Sequence, residues 1–599
     1  MDKLNQLSHQ FYKITESANA LHGVFFCILN TLNNASISLP AIPPKFFSEV
    51  ISNSLENNEI ESAQYFITLL HENQKRIPQF ANFEQIRVLH SDNPHHAVSL
   101  LEKNYDQILL KENQLESEKR RNVFNLRVEF ARASWCAHTN YLPSDLIYDQ
   151  LNTVIKKCKA TSTVDLMADA EFTLARVYHR QHREICDFFM STEYRTITNI
   201  ISYDEACLKQ KAKQPTHSAT MRTAKQDLIN YNSIIKHYKE LFSTTIVKAI
   251  KNYMKALTHT NKYDLECSFS IIGIWFNYSY TKYKQFVQEV PDLISTMEKY
   301  FPDIDANKFL PLFYQLAARV DDKGEITSTQ NVDYNEEFQN FLQNMVKSIC
   351  QKSPSECFPV LFALERNNNQ NKKVEAIQEL IVSIAGISTE LHQRWDQMKN
   401  LLKGYLRLTN APQMKSKVNS LSKLDKGLTE CTSIKNPFVT IITNSDEVEI
   451  DHFEDKVIVL NGVNHPLLLQ IVSKDGRTFK QIVKGNRDDL RQDAVMQQLF
   501  VLSSKLLSRK NPNLSIRHYK VVPLSPKSGV IEFVEGSISI QDYLFKKEDK
   551  QTESGAHTRY YVNGESIPMV KALTEFHERS NNYHKNLSKT DDDRRKLIA

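Results

Sequence analysis

Between Gln481 and Phe500 the chain reads QIVKGNRDDLRQDAVMQQLF, a lysine at the end of a predicted strand followed by an acid on a predicted helix. A nucleoside triphosphate needs a cation on its α- and β-phosphates, and that cation must be held by an acid on a neighbouring element. The spacing assigns the phosphate contact to Lys484 and the orienting role to Asp493, with Asp488 or Asp489 assisting or capping the helix. From spacing alone, a surface salt bridge between a strand end and a helix start is the plainer explanation.

The elements that must position this pair are legible around it. Short β-rich runs surround the lysine: PFVTIITN, KVIVLNG, HPLLLQIVSKDGRTFKQIVKG, LSIRHYKVVPL and SGVIEFVEG. Asp475-Gly476 between two of them predicts a hairpin turn. The segment DDLRQDAVMQQLFVLSSKLLS predicts one helix, with Met496, Leu499, Phe500, Leu502 and Leu506 as its apolar side. The loop from Asn461 to Pro466, containing Gly462, Val463 and Asn464, lies where a phosphate-covering loop would lie. It lacks a GxGxxG pattern and reads equally as a plain hairpin loop. Downstream, Ile531 to Val534 would form a linker in which Glu532 and Val534 offer backbone hydrogen bonds to an adenine ring. Phe533 would pack on that ring, or serve ordinary core packing.

Upstream the texture is helical. VDLMADAEFTLARVYHRQ puts Leu166, Ala170, Leu174 and Val177 on one stripe, with Asp165, Asp169 and Glu171 largely away from it. ELFSTTIVKAIKNYMKAL repeats the pattern through Ile246, Ala249, Ile250, Tyr253 and Leu257. Each such helix alone leaves an apolar stripe exposed, and stacking helical hairpins into a solenoid covers it. Candidate links are 93–96, 211–217, 321–330 and 367–374, and the charged run 111–120 reads as a solvated helix face.

With 599 residues, 41% of them hydrophobic, the chain can bury more than one core, and only 13 glycines and 19 prolines leave too little punctuation for an all-β protein. A net charge of +5, with basic and acidic residues interleaved, gives no case for direct nucleic-acid binding. Nine scattered cysteines without a CxxC pair imply reduced thiols and no zinc site. The N-terminal residues have no signal-peptide core, and ALHGVFFCIL is too short to span a bilayer, so a soluble chain is expected.

GVNHP at 462–466, DDLRQDAVMQQLF at 488–500 and YKVVPLSPKSGVIEF at 519–533 together resemble the phosphatidylinositol 3-kinase-related protein kinases, and within them the ATM/Tel1 checkpoint kinases. KFLPLFYQLAARV at 308–320 resembles the C-terminal part of the family's helical FAT domain. The resemblance implies a mainly α fold: a FAT-like helical-repeat solenoid over 1–411, a linker and start of the kinase region over 412–450, and a small α+β kinase N-lobe over 451–599. It also implies nucleotide-site roles for Lys484 and Asp493. Two departures stand out. The chain has KGNRDDLRQD where the family usually has KGRDDLRQD, placing one extra residue at Asn486, and it has Phe533 where tryptophan is common.

The family's GDRH motif, its metal-binding asparagine, its DFG-like motif and its FATC segment do not occur in these residues. The nearest candidates, His577-Glu578-Arg579 and the run Asp591 to Arg594, read as a polar helix and a solvated tail. No catalytic and no metal-binding residue is therefore assigned, and these residues alone are expected not to phosphorylate anything. By resemblance, the complete kinase would use ATP and Mg2+ to phosphorylate serine or threonine of protein substrates in nuclear DNA-damage signalling, and would form a homodimer partly through its FAT region. The alternative is a catalytically inactive helical scaffold or regulatory isoform that binds partners or a full-length kinase.

Overall fold

The structure, a computed structural model, describes residues 51–578 except 53, 56–59, 74–77, 112–116, 212–218, 281–291, 321–331, 367–370, 410–415, 440–447, 461–464, 486–488, 511–513, 539–546, 550–551, 554–559, 563–564 and 568–577. It divides into two compact units, Met1–Ile531 and Glu532–Ala599.

The first unit begins as a succession of helices: α1 (Ile60–Asn73), α2 (Pro78–Asp92), α3 (Pro94–Ile108), α4 (Glu118–Thr139), α5 (Ser144–Thr161), α6 (Val164–Met190), α7 (Thr192–Lys211), α8 (Ala219–His259), α9 (Asp264–Tyr280) and α10 (Leu293–Tyr300). After the 3-10 turn Ala306–Leu312 come α11 (Phe313–Ala317), α12 (Val332–Lys352), α13 (Pro354–Glu365), α14 (Asn371–Ala385) and α15 (Thr389–Thr409). Most of them pack on the helix before and the helix after, the stacking expected of a helical-repeat solenoid. Ile246, Ala249, Ile250, Tyr253 and Leu257 are all buried, as their spacing predicts.

Three local expectations are corrected. The link at 93–96 shrinks to Asn93, whose side chain accepts from the backbone N–H of His96 at 3.1 Å, so His95 and His96 already belong to α3. Asn371 to Val374 likewise lie in α14. Glu171, expected on the polar side of α6, is fully buried, because α8 covers the face that would otherwise be solvated. There it meets His259 Nδ1 at 2.8 Å. Burial raises the Glu171 pKa, and the hydrogen bond from His259 opposes that rise. The links expected at 212–217 and 321–330, and residues 112–116 of the charged run, lie outside the described residues.

Two further rungs join α6 to α8: His179 Nδ1 with the Tyr253 hydroxyl at 3.2 Å, and His182 Nδ1 with the Thr245 hydroxyl at 3.3 Å. The C-terminal end of α8 is capped from a distance by Lys308. Its ammonium donates to the carbonyls of Leu257 and Thr260, both at 2.7 Å, and pairs with Asp264 at 2.9 Å.

Beyond α15 the chain forms β1 (Val418–Ser420), the short helices α16 (Leu421–Leu424) and α17 (Lys426–Thr429), then β2 (Ile450–Phe453), β3 (Lys456–Val459), β4 (Leu467–Ser473) and β5 (Thr478–Lys484). Helix α18 (Leu490–Lys510) follows, then β6 (Val521–Ser525) and β7 (Ser528–Glu532). The strands make one seven-stranded sheet in the order β1-β3-β4-β5-β7-β6, with β2 also paired to β4. The hairpin at Asp475-Gly476 forms as expected, with Gly476 at φ +83. In the second unit the described strands are two hairpins, β8 (Lys547–Asp549) with β9 (Thr552–Glu553) and β10 (Tyr560–Val562) with β11 (Glu565–Ile567).

Eight of the cysteines are described; all are free thiols, and only Cys207 is not buried. Among the described residues no helix is long and apolar enough to cross a membrane.

Candidate nucleotide site

β5 carries Lys484 at its end, and the strand is fixed from the helical body. The Tyr405 hydroxyl on α15 donates to Gln481 Oε1, and Gln481 Nε2 donates to Asn436 Oδ1 at 3.2 Å. Tyr405 and Gln481 are both fully buried, so each polar group must be satisfied inside the protein. One residue past Lys484, Gly485 lies so close to the last turn of α15 that a Cβ there would stand 2.4 Å from the Thr409 carbonyl oxygen. Lys484 is half-buried at this junction.

The following helix starts at a polar cap. Asp489 Oδ1 accepts from the backbone N–H of Arg491 at 3.1 Å, and its carboxylate also takes the Arg491 guanidinium at 2.8 and 2.7 Å. Those hydrogen bonds hold the Asp489 carboxyl below its ordinary pKa. Of the two roles open to Asp489, capping is the one the structure displays; Asp488 lies outside the described residues.

Asp493 stands in the first turn of α18 and is exposed. Lys484 thus ends β5, and Asp493 lies in the first turn of the next element, α18, whose start carries the Asp489 cap. Gly462, Val463 and Asn464 lie outside the described residues, as do Asn486, His577, Arg579 and the run from Asp591 to Arg594. Residues 461–464 fall in sequence between the antiparallel strands β3 and β4, and just outside them the Leu460 N–H donates to the Pro466 carbonyl at 2.8 Å. Glu532 ends β7 and begins the second unit; Phe533 and Val534 follow it, all three half-buried, and the Val534 carbonyl accepts from the Ser537 hydroxyl at 2.7 Å.

The apolar side expected for α18 is a correction. Met496, Leu499 and Leu506 are about half exposed, at 45%, 50% and 52%, while Phe500 and Leu502 are half-buried. The helix turns Leu490, Ala494, Gln497 and Gln498 inward instead, a run at helical spacing in which polar residues take inner positions. Gln497 is buried because its side chain serves the chain leading into β6: Oε1 accepts from the Tyr519 N–H at 3.0 Å.

On the next inward position, Gln498 Oε1 accepts from Gln315 Nε2 at 2.9 Å, and Gln498 Nε2 donates to the Pro311 carbonyl. An ion pair from Lys520 to Glu356 makes a further bond between lobe and body. A cleft of about 190 Å³ opens beside these contacts, between the segment Leu310 to Tyr314, α13, β6 and α18. No periodicity argument finds such contacts, since their partners lie far apart in sequence.

Residues 479–593 match the family described as phosphatidylinositol 3- and 4-kinase. The serine/threonine-protein kinase ATM of Arabidopsis thaliana is 23% identical over 550 residues, covering 84% of this chain and 14% of the relative. The serine/threonine-protein kinase tel1 of Schizosaccharomyces pombe is 28% identical over 355 residues, covering 55% of this chain and 11% of the relative. The chain therefore spans about a seventh of the Arabidopsis relative's length and less of the fission-yeast one. Among solved structures, "FAT and kinase domain of CtTel1" superposes with a TM-score of 0.64 at 19% identity, covering 83% of this chain and 34% of that one. "Complete CtTel1 dimer with C2 symmetry" gives 0.66 at 18% identity, covering 83% and 18%. At these identities the superpositions establish the fold: a FAT-type helical solenoid followed by a kinase N-lobe.

Proposed function

We propose that this chain, which belongs to the ATM/Tel1-like phosphatidylinositol 3-kinase-related protein kinases, supplies the ATP-binding lobe and part of the helical frame of a serine/threonine protein kinase. One observation carries the reading: Lys484 ends a strand locked to the helical body, immediately before a capped helix that bears Asp493, within the region matching the kinase family. In this reading the Lys484 ammonium binds the α- and β-phosphates of ATP, and Asp493 orients it when nucleotide is present. Glu532, Phe533 and Val534 are assigned to adenine, and Gly462, Val463 and Asn464 to covering the phosphates, on their sequence positions.

ATP and Mg2+ would be the cofactors of the complete kinase; among the described residues no group of three or more histidine, cysteine or acidic side chains is gathered as a metal-ligand set. The substrates would be protein serine or threonine in nuclear DNA-damage signalling, and the assembly a homodimer through the helical body. The relatives' names support serine or threonine of a protein as the acceptor, and the CtTel1 dimer supports a homodimer; the nuclear DNA-damage role and the use of the helical body rest on the family resemblance alone.

An acyl phosphate of ATP, which acylates a lysine amine lying against the phosphates, tests the site even at weak affinity. Lys484 should be acylated first and protected by excess ATP. Labelling spread over surface lysines without ATP protection would overturn the assignment. With radiolabelled ATP, Lys484→Arg should leave the fold intact and the 599-residue chain as silent as the parent, while abolishing transfer by a longer product that contains the rest of the kinase domain. Transfer by the 599-residue chain that vanishes in the variant would show that these residues suffice for catalysis.

A further inference from the structure

We propose that Gln498 is a positioning residue through which the helical body sets the placement of α18, and with it Asp493, relative to Lys484. The proposal rests on the nucleotide-site reading of that pair and deepens it.

The two residues reach the helical body by separate routes. Lys484 is held through Gln481 and Gly485 to α15, by Tyr405 and the close approach of Thr409. Asp493 is held through Gln498, little more than one helical turn along α18, to the 3-10 turn and α11. Because Pro311 and Gln315 stand far from Tyr405 in sequence, a small shift between those parts of the body changes the distance between strand end and helix start.

Gln498 suits this role chemically. Its amide accepts from Gln315 and donates to the Pro311 carbonyl at once, so two partners fix both its position and its orientation. Pro311 has no N–H of its own, and its carbonyl faces the junction. The arrangement is not over-packed: the cleft beside it is lined by Pro311, Tyr314, Pro359, Val495 and Gln498, leaving α18 room to move when the amide contact is lost. Apolar packing of the same area would give no directional restraint, since it is indifferent to small slides. An amide with two partners does give one.

The test uses the 599-residue chain and a graded pair of variants. Gln498→Met keeps the length and loses both hydrogen bonds; Gln498→Glu keeps the acceptor for Gln315 and loses the donor to Pro311. Amide hydrogen exchange across Arg491 to Leu499 should accelerate roughly tenfold in Gln498→Met and less in Gln498→Glu, with exchange in β4 and β5 unchanged. ATP-protectable acylation of Lys484 by the ATP acyl phosphate should fall in the same order.

Unchanged exchange in Gln498→Met overturns the proposal. So does faster exchange with undiminished acylation of Lys484, which would leave Gln498 merely structural. If Lys484 of the parent chain is not labelled at all, the nucleotide-site reading fails and takes the positioning role with it, while the exchange result still separates a restrained α18 from a free one.

Discussion

Gly485 stands one residue past Lys484, and the Thr409 carbonyl occupies the space a side chain would need. Gly485→Ala therefore has to push β5 away from α15 or distort the strand end, at a cost of roughly 1–3 kcal/mol. Urea unfolding should show that loss, and acylation of Lys484 by the ATP probe should fall with it. Gly476 provides the contrast within the same hairpin pair. A Cβ there meets nothing, but the backbone sits at φ +83. Gly476→Asn should thus be nearly neutral, because asparagine tolerates the left-handed region, while Gly476→Val should cost about 1–2 kcal/mol. An equal effect of Gly485→Ala and Gly476→Asn in the same unfolding experiment would count against the close approach at Thr409. The turn at Gly476 was legible as a dipeptide; the need for glycine at 485 was not, because its cause is Thr409 on α15, about 75 residues earlier in the chain.

At the scale of elements, hydrophobic periodicity located the helices well where a single face is covered, as in α8, and misread them where two faces are covered or polar groups are turned inward. Glu171 on α6 and Gln497 and Gln498 on α18 are the instances, and in each the reason is a specific partner that no local window contains. The Lys484–Asp493 segment was readable because its strand, cap and helix are local; the clamps that hold it were not. The α6–α8 seam carries a pH consequence. Burial lowers the pKa of His179 to about 4, with nearby Arg183 adding to the shift, and lowers that of His182 to about 3, with His179 adding to it. Both values lie below the ordinary histidine value of 6.5, so the unfolded chain binds more protons than the folded one between those limits. The stabilisation is present above pH 6.5 and is lost as pH falls toward 4, on the order of 2 kcal/mol for each imidazole by pH 5. Glu171 acts in the opposite direction, since burial raises its pKa and folding then favours its protonated form. The two effects separate in a difference measurement: His182→Gln should unfold with a shallower loss of stability between about pH 7 and pH 5 than the parent chain. Parallel pH curves for parent and variant would show that His182 is not titrating against folding.

Within the first unit, one hydrophobic core runs from Phe83 in α2 to Val530 in β7, while α1 and the other face of α2 hold a second, smaller one. Repeat architectures usually share stability only between neighbours, so their ends can unfold separately. Here the junction between α15 and the sheet is itself aromatic and buried: Tyr405 packs on Phe438 with ring centroids 4.6 Å apart and reaches Phe453 in β2 at 6.2 Å, while Trp395 on the same helix meets Phe358 of α13 edge-on at 5.2 Å. Helices α13 to α15 and the sheet should therefore open as one cooperative body, whereas α2 to α5 can be lost earlier. A chain labelled with fluorotryptophan reports this directly, since Trp135, Trp275 and Trp395 lie in α4, α9 and α15. In a urea titration the Trp395 resonance should shift at the concentration at which β4 and β5 lose their amide protection, with Trp135 shifting at or below it. If β4 and β5 lose protection while Trp395 still gives its native signal, the sheet unfolds on its own, and α15 is a connection between two independent domains instead of the beam that joins them.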